Sequence, residues 1–168
     1  PELIEPDYNT RIKAELDELV EHRAAKDHRL IVTYPEMGKL TSHPPIIERL
    51  QELMGPRFAM HHIHSARHEA GNGGVNWHQD YEQYPQTNRS HIMVHIFYYL
   101  SGLDGTVGDL LVLPKSQKII VPNGGMGLFG TADLPGSLVV DELQPGSAII
   151  VPSALWHARR PKPGGKEH

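Results

Sequence analysis

In the first third of the chain apolar residues recur at helical spacing. Ile12, Leu16, Leu19 and Val20 fall on one stripe, which predicts a helix over residues 10–30 with charged residues on its solvated face. Asn9 or Thr10 is placed to cap its start. A second, shorter helix is predicted over residues 44–54, with Ile46, Ile47, Leu50, Leu53 and Met54 facing inward. Pro44 suits the first turn of that helix, and Gly55-Pro56 closes it.

After Pro56 the period shortens to two. Residues 58–67 read as a strand with His61, Ile63, Ser65 and Arg67 on one face and His62 and His64 on the other. Gly71-Asn72-Gly73-Gly74 is a loop leading into a strand that ends at His78 and Asp80, and residues 81–89, without any period, form a loop beside them. The apolar run 91–100 predicts a buried strand. Further strands are predicted at 109–113, 119–121, 138–140 and 148–151, each punctuated by Gly or Pro. Two helices followed by about seven short strands predict an α+β, mainly β fold whose strands form a sandwich or barrel.

Composition narrows the function more than the fold. At 168 residues the chain reads as a single domain, with helices in 1–56 and a β-core over 57–168. A hydrophobic share of 39% and a charged share of 21% are globular, not disordered, values. The net charge of −4 argues against a nucleic-acid surface. No apolar run approaches the twenty residues of a membrane span, and the start lacks a signal-peptide pattern, so the expected setting is cytoplasmic. With no cysteine in the chain, any metal must be held by nitrogen and oxygen.

Candidate chemistry sits in Trp77-His78-Gln79-Asp80. An extended backbone sends His78 and Asp80 to one side, an imidazole nitrogen beside a carboxylate oxygen. His157 is the candidate third donor. Two histidines and one carboxylate on one face of a metal leave the opposite positions open, as in non-haem Fe(II) oxygenases. In a chain with twelve histidines a lone His-x-Asp triplet is weak ground for such a site, and its context has to strengthen it. Trp77 and Trp156 each precede a candidate ligand by one residue and should therefore point away from the metal, into packing. A second metal site in the His61-His62-His64 stretch is less favoured than ordinary exposed or half-buried histidines.

Four pieces supply that context. Trp77-His78-Gln79-Asp80, Gly108-Asp109-Leu110-Leu111-Val112-Leu113-Pro114-Lys115-Ser116-Gln117, Pro145-Gly146-Ser147-Ala148-Ile149-Ile150 and Leu155-Trp156-His157-Ala158 follow one another in an order and spacing that resembles the phytanoyl-CoA dioxygenase family of Fe(II)/2-oxoglutarate oxygenases. The resemblance implies a double-stranded β-helix, or jelly roll, with the N-terminal helices packed outside and the metal in the barrel mouth. It also implies Fe(II) held by His78, Asp80 and His157, with 2-oxoglutarate as cosubstrate, O2 as oxidant and a small-molecule substrate that is hydroxylated as succinate and CO2 form. Related halogenases replace the carboxylate ligand with a small residue, so Asp80 makes hydroxylation the default. Two positions depart from the family pattern: Lys115 and Gln117 stand where Gly and His are common.

The same resemblance implies contacts to the cosubstrate. Tyr99 and Phe97 share a strand face and would wall its pocket, while His61 and Ser65 lie on a face that the family turns inward; ordinary core packing is the competing role for each. Gln83, Thr87, Asn88 and Arg89 are candidate substrate contacts by loop position. The family's 2-oxoglutarate-binding arginine lies about ten residues past the distal histidine, where this sequence offers Lys166 and Glu167. The expectation is therefore a longer native chain with that arginine beyond His168. Arg159, on the same strand face as His157, is the rival within these residues, and Lys166 is a weaker one because an ammonium lacks the planar fork. Two other readings compete: a cupin-type metalloenzyme that does not use 2-oxoglutarate, and a non-catalytic jelly-roll binding module.

Overall fold

The computed structural model describes residues 3–27, 29–68, 70–81, 91–106, 110–121 and 128–162. The chain divides into two compact units, residues 2–67 and 68–168. In the first, helix α1 spans Pro6–Ala24, with Ile12, Leu16 and Leu19 buried as their spacing predicts. It starts four residues before the predicted 10, at a proline whose missing N–H costs a helix nothing there. It also ends six residues earlier than predicted. Lys26 takes a left-handed backbone (φ 61°), and the N–H groups of Lys26 and Asp27 donate back to the Arg23 and His22 carbonyls. Helices often close in this way, but usually on glycine, so the sequence carries no stop signal.

A six-residue helix, α2 (Pro35–Leu40), was not predicted; it is too short to show a period. Its first N–H groups find their acceptor outside the helix: the Glu15 carboxylate of α1 accepts from Glu36 and Met37 at 2.8–2.9 Å. Helix α3 spans Pro44–Met54, as predicted, with Gly55 (φ 86°) at its end. Ile46 and Leu50 are buried, but Leu53 is 56% exposed and does not face inward. Residues 58–67 are not a strand in the structure. Their backbone joins no ladder, and side chains of α1 hold the segment instead: Arg23 donates to the Ser65 carbonyl at 3.1 Å and Asp17 pairs with Arg67 at 2.9 Å. The predicted alternation partly survives, since Ile63, Ser65 and Arg67 are half-buried while His62, His64 and Ala66 are exposed.

The second unit is built from strands. These are β1 (Val75–His78), β2 (Val94–Tyr99), β3 (Leu103–Asp104), β4 (Leu110–Val112), β5 (Leu138–Val140), β6 (Glu142–Leu143), β7 (Ser147–Pro152) and β8 (His157–Arg159). They form an antiparallel four-stranded sheet in the order β1-β8-β4-β5 and two antiparallel pairs, β2-β7 and β3-β6. The predicted strand at 119–121 is absent. Ile119 and Ile120 are about half exposed and follow a single 3-10 turn, Ser116–Lys118. The Ile119 carbonyl accepts from the Gln79 side chain.

One face of the four-stranded sheet is the core. Trp77, Leu111, Trp156 and Ala158 form a buried cluster, with Leu113, Val121, Leu134 and Val139 packed against it. Both tryptophans point away from the candidate ligands beside them, as expected. No helix among the described residues is long and apolar enough to cross a membrane.

Candidate metal centre

Strand pairing decides which side chains leave the core face. Residues opposite each other in an antiparallel ladder point to the same side of the sheet. Val75 pairs with Arg159, and an unbroken ladder would then set Trp77 opposite His157. A register shift in β1 sets His78 opposite His157 instead. This is a β-bulge, one extra residue on one strand. It sends Trp77 into the core and brings the two imidazoles together, ring centroids 4.3 Å apart.

Asp80 follows on a backbone pinned by its N–H to the Ser153 carbonyl at 2.8 Å. Between the two ligand candidates, buried Gln79 donates to the carbonyls of Ile119 (2.9 Å) and Ala154 (2.6 Å). The turn before β8 is held as firmly. The Trp156 N–H donates to Ser116 Oγ at 2.9 Å, and Ser116 Oγ donates to the Leu113 carbonyl at 2.6 Å. Lys115, where the resembling family commonly has Gly, keeps the left-handed backbone (φ 67°) that glycine would favour.

Donor atoms of His78, Asp80 and His157 lie within 4.8 Å of one another; no other set of three histidine or carboxylate residues does so among the described residues. Asp80 Oδ1 is 3.1 Å from His78 Nε2, and Asp80 Oδ2 is 3.2 Å from His157 Nε2. Burial opposes ionisation of Asp80, but the bonds from His157 and His78 outweigh it and hold the carboxyl well below the usual carboxylate range. Burial alone would lower His78; Asp80 and the Asn76 carbonyl raise it instead.

The donor set fits a divalent metal. His78 Nδ1 lies 2.7 Å from the Asn76 carbonyl and His157 Nδ1 3.0 Å from the Leu155 carbonyl. A carbonyl only accepts, so Nδ1 carries the proton in both rings and the neutral form offers an Nε2 lone pair to the centre.

Beyond the triad, β2 presents His95, Phe97 and Tyr99 at alternate positions. Phe97 packs against His157 (centroids 5.4 Å) and stacks with His95 (6.3 Å). Sequence reasoning missed His95, although it lies two residues before Phe97 on a face already assigned to the pocket. Burial pushes the Tyr99 phenol up to about 12, against an opposing influence from the nearby Arg159 guanidinium. Arg159 is half-buried at the end of β8, and burial lowers its pKa. Its Nη2 donates to Asn72 Oδ1 at 2.6 Å, whereas Nη1 is buried with no hydrogen-bond partner among the described residues. The 71–74 loop reaches it because position 74 is glycine. A Cβ there would stand 2.5 Å from the Arg159 carbonyl, and φ is 77°.

His61 is exposed, in the 2–67 unit, with Nδ1 2.6 Å from His62 Nδ1. Gln83, Thr87, Asn88, Arg89 and Lys166 lie outside the described residues.

A family model described as phytanoyl-CoA dioxygenase matches residues 4–162. The chain belongs to that family. No curated protein matches it significantly. Among solved structures, an apo form of the non-heme monooxygenase ThoJ superposes with a TM-score of 0.80 at 17% identity, covering 99% of this chain and 68% of that one. AviO1 from Streptomyces viridochromogenes Tue57 gives 0.67 at 15% identity, over 98% and 82% of the two chains. EvdMO1 gives 0.65 at 18% identity, over 98% of this chain and 43% of that one. At such identities the likeness is one of fold; membership in an oxygenase family comes from the model match.

Proposed function

We propose that this family member is a non-haem Fe(II)/2-oxoglutarate-dependent dioxygenase that hydroxylates a small molecule. The single observation that carries the reading is the His78-Asp80-His157 convergence with both Nε2 atoms turned to the centre. Two imidazoles and a carboxylate on one side leave room for a bidentate cosubstrate. Bound Fe(II) would supply O2 activation coupled to decarboxylation of 2-oxoglutarate to succinate and CO2.

The protein's own part is to bind, orient and exclude water. Asp80 supplies the negative charge and the two imidazoles supply neutral donors. Phe97, against His157, keeps water from that side of the ring. Arg159, the rival named from the sequence, is the anchor we propose within these residues for the distal cosubstrate carboxylate. A buried carboxylate needs a paired cation, and Arg159 already holds a buried Nη1 without a partner among the described residues. Tyr99, neutral at ordinary pH, would wall the same end. His61 was expected on a strand face that the 58–67 segment does not form, and its exposure lends no support either, so it takes no part in this reading.

The three sheets are proposed as parts of one double-stranded β-helix and the two units as one oxygenase domain, since the family model runs through both. A cytoplasmic setting belongs to the same reading. The cupin-type alternative draws on one observation, a third imidazole, His95, with Nε2 3.9 Å from Asp80 Oδ2.

The test is succinate release from 2-oxoglutarate by the Fe(II)-loaded chain, screened across candidate substrates, together with calorimetric Fe(II) binding by Asp80→Ala. Turnover that needs 2-oxoglutarate, and lost Fe(II) affinity in the variant, are expected. Undiminished Fe(II) binding by Asp80→Ala refutes the ligand assignment. Oxidation that proceeds equally well without a 2-oxo acid supports the cupin reading.

A further inference from the structure

We propose that His95 is a positioning residue for the metal centre: its Nε2–H holds the Asp80 carboxylate oxygen that does not coordinate, with its tautomer set by Ser153. This rests on the metal-site reading above. Without metal, each Asp80 oxygen has its own imidazole, His78 on Oδ1 and His157 on Oδ2. A metal taken up by those same two Nε2 atoms ends both contacts, because each lone pair is then committed. One Asp80 oxygen joins the metal, and the other is left half-buried and charged. Such an oxygen must be paired, and carboxylate ligands are regularly held by a hydrogen bond from outside the ligand set.

His95 Nε2 is 3.9 Å from Asp80 Oδ2. That is too long for a hydrogen bond as it stands, and a carboxylate rotation of about an ångström closes it. The other ring nitrogen, Nδ1, is 2.6 Å from Ser153 Oγ. With the Ser153 hydroxyl donating, Nδ1 is the acceptor, and the proton of the neutral ring is on Nε2, aimed at Asp80. Ser153 is fully buried, and its backbone is fixed on both sides: its N–H donates to the Met93 carbonyl at 2.9 Å and its carbonyl accepts from the Asp80 N–H at 2.8 Å. One residue thus holds the backbone of the carboxylate ligand and, through a hydroxyl that donates to Nδ1, favours the Nε2–H tautomer of the ring beside it. Stacking on Phe97 at 22° fixes the imidazole plane. His95 itself falls outside the convergent donor set.

Co(II) is the probe, with calorimetry for affinity and the visible d–d spectrum for ligand geometry. His95→Phe should weaken Co(II) binding about tenfold and alter the spectrum, while the melting temperature of the metal-free chain moves little. His95→Gln, whose amide has a donor at similar reach, should recover most of the affinity and the wild-type spectrum. Ser153→Ala, which frees the tautomer, should fall between; it also keeps the test open if His95→Phe does not fold. A His95→Phe protein with wild-type affinity and spectrum overturns the proposal. So does a loss beyond a thousandfold with no recovery in His95→Gln, which would make His95 a ligand. Wild-type protein that binds no Co(II) overturns the metal-site reading, and this proposal with it.

Discussion

Arg159 is where the proposed chemistry and the stability of the chain make opposite demands, so replacing it separates them. In the protein alone, Nη2 bonds Asn72 Oδ1 at 2.6 Å and Nη1 is buried without a partner among the described residues. A charged hydrogen bond contributes roughly 1.5–3 kcal/mol, and a buried unsatisfied donor costs roughly 1–3 kcal/mol. Arg159→Met removes both, and Met fills much of the space of the aliphatic stem. Asn72 Oδ1 keeps its bond from the Gly74 N–H at 3.1 Å. The two terms largely cancel, and the unfolding free energy should change by no more than about 1 kcal/mol. Cosubstrate binding has no such compensation. Leaving a buried carboxylate without its cation costs about 3–5 kcal/mol at full burial, and roughly 2–3 kcal/mol is reasonable at this half-buried position. At 1.4 kcal/mol per factor of ten, 2-oxoglutarate affinity should fall roughly 30- to 150-fold. Calorimetric titration of 2-oxoglutarate into the Co(II)-loaded chain reads the affinity, and urea unfolding reads the stability. Affinity within threefold of wild type refutes the argument and moves the carboxylate anchor elsewhere.

Three further outcomes follow from the geometry. Trp77→Phe should cost about 1–2 kcal/mol more than Trp156→Phe in urea unfolding: Trp77 Nε1 donates to the Ala132 carbonyl at 2.7 Å, whereas Trp156 Nε1 is buried without a partner among the described residues. Equal costs would show that volume alone matters there. The Tyr99 phenol, raised from 10.0 to about 12 in the folded chain, ionises first in the unfolded state. Its contribution is therefore complete below pH 10 and is lost as pH rises through 12, by roughly 3 kcal/mol. Tyr99→Phe should flatten that alkaline decline between pH 9 and 12, and an unchanged slope refutes the assignment. Gln79→Leu keeps the buried volume but leaves the Ile119 and Ala154 carbonyls without its two bonds. It should lower both the melting temperature and Co(II) affinity; a loss of stability with affinity intact would show that the Gln79 clamp does not position the ligands on either side.

Helix existence was legible because an amphipathic helix writes its burial into a 3.6-residue period: Ile12, Leu16, Leu19, Ile46 and Leu50 are buried where that period puts them. Boundaries were less legible. Helix α1 ends on Lys26 rather than a glycine, and α2 exists because a carboxylate twenty residues upstream caps it, a contact that no local window contains. The strands at 58–67 and 119–121 failed for a related reason. Alternation describes a half-buried extended chain, but a ladder needs a free partner edge, and in both places a distant side chain takes up a backbone carbonyl. The metal-ligating candidates could be named from the sequence through the motifs around them.

Their coming together could not. By strand period alone the chain specifies only that Trp77 and His78 face opposite ways, and that His157 and Arg159 face the same way. Which of Trp77 and His78 lies beside His157 depends on register, and a shift of one residue exchanges core face for site face. The β1 bulge between Val75 and His78 makes that choice. So does its surroundings: Trp77 Nε1 finds the Ala132 carbonyl only on the core side. His95 and Ser153 likewise come beside Asp80 only when β2 folds next to β7 and the turn after it, 58 residues along the chain. Local sequence supplied the donors, and long-range pairing of strands, which satisfies backbone groups that no local segment can, determined where they point.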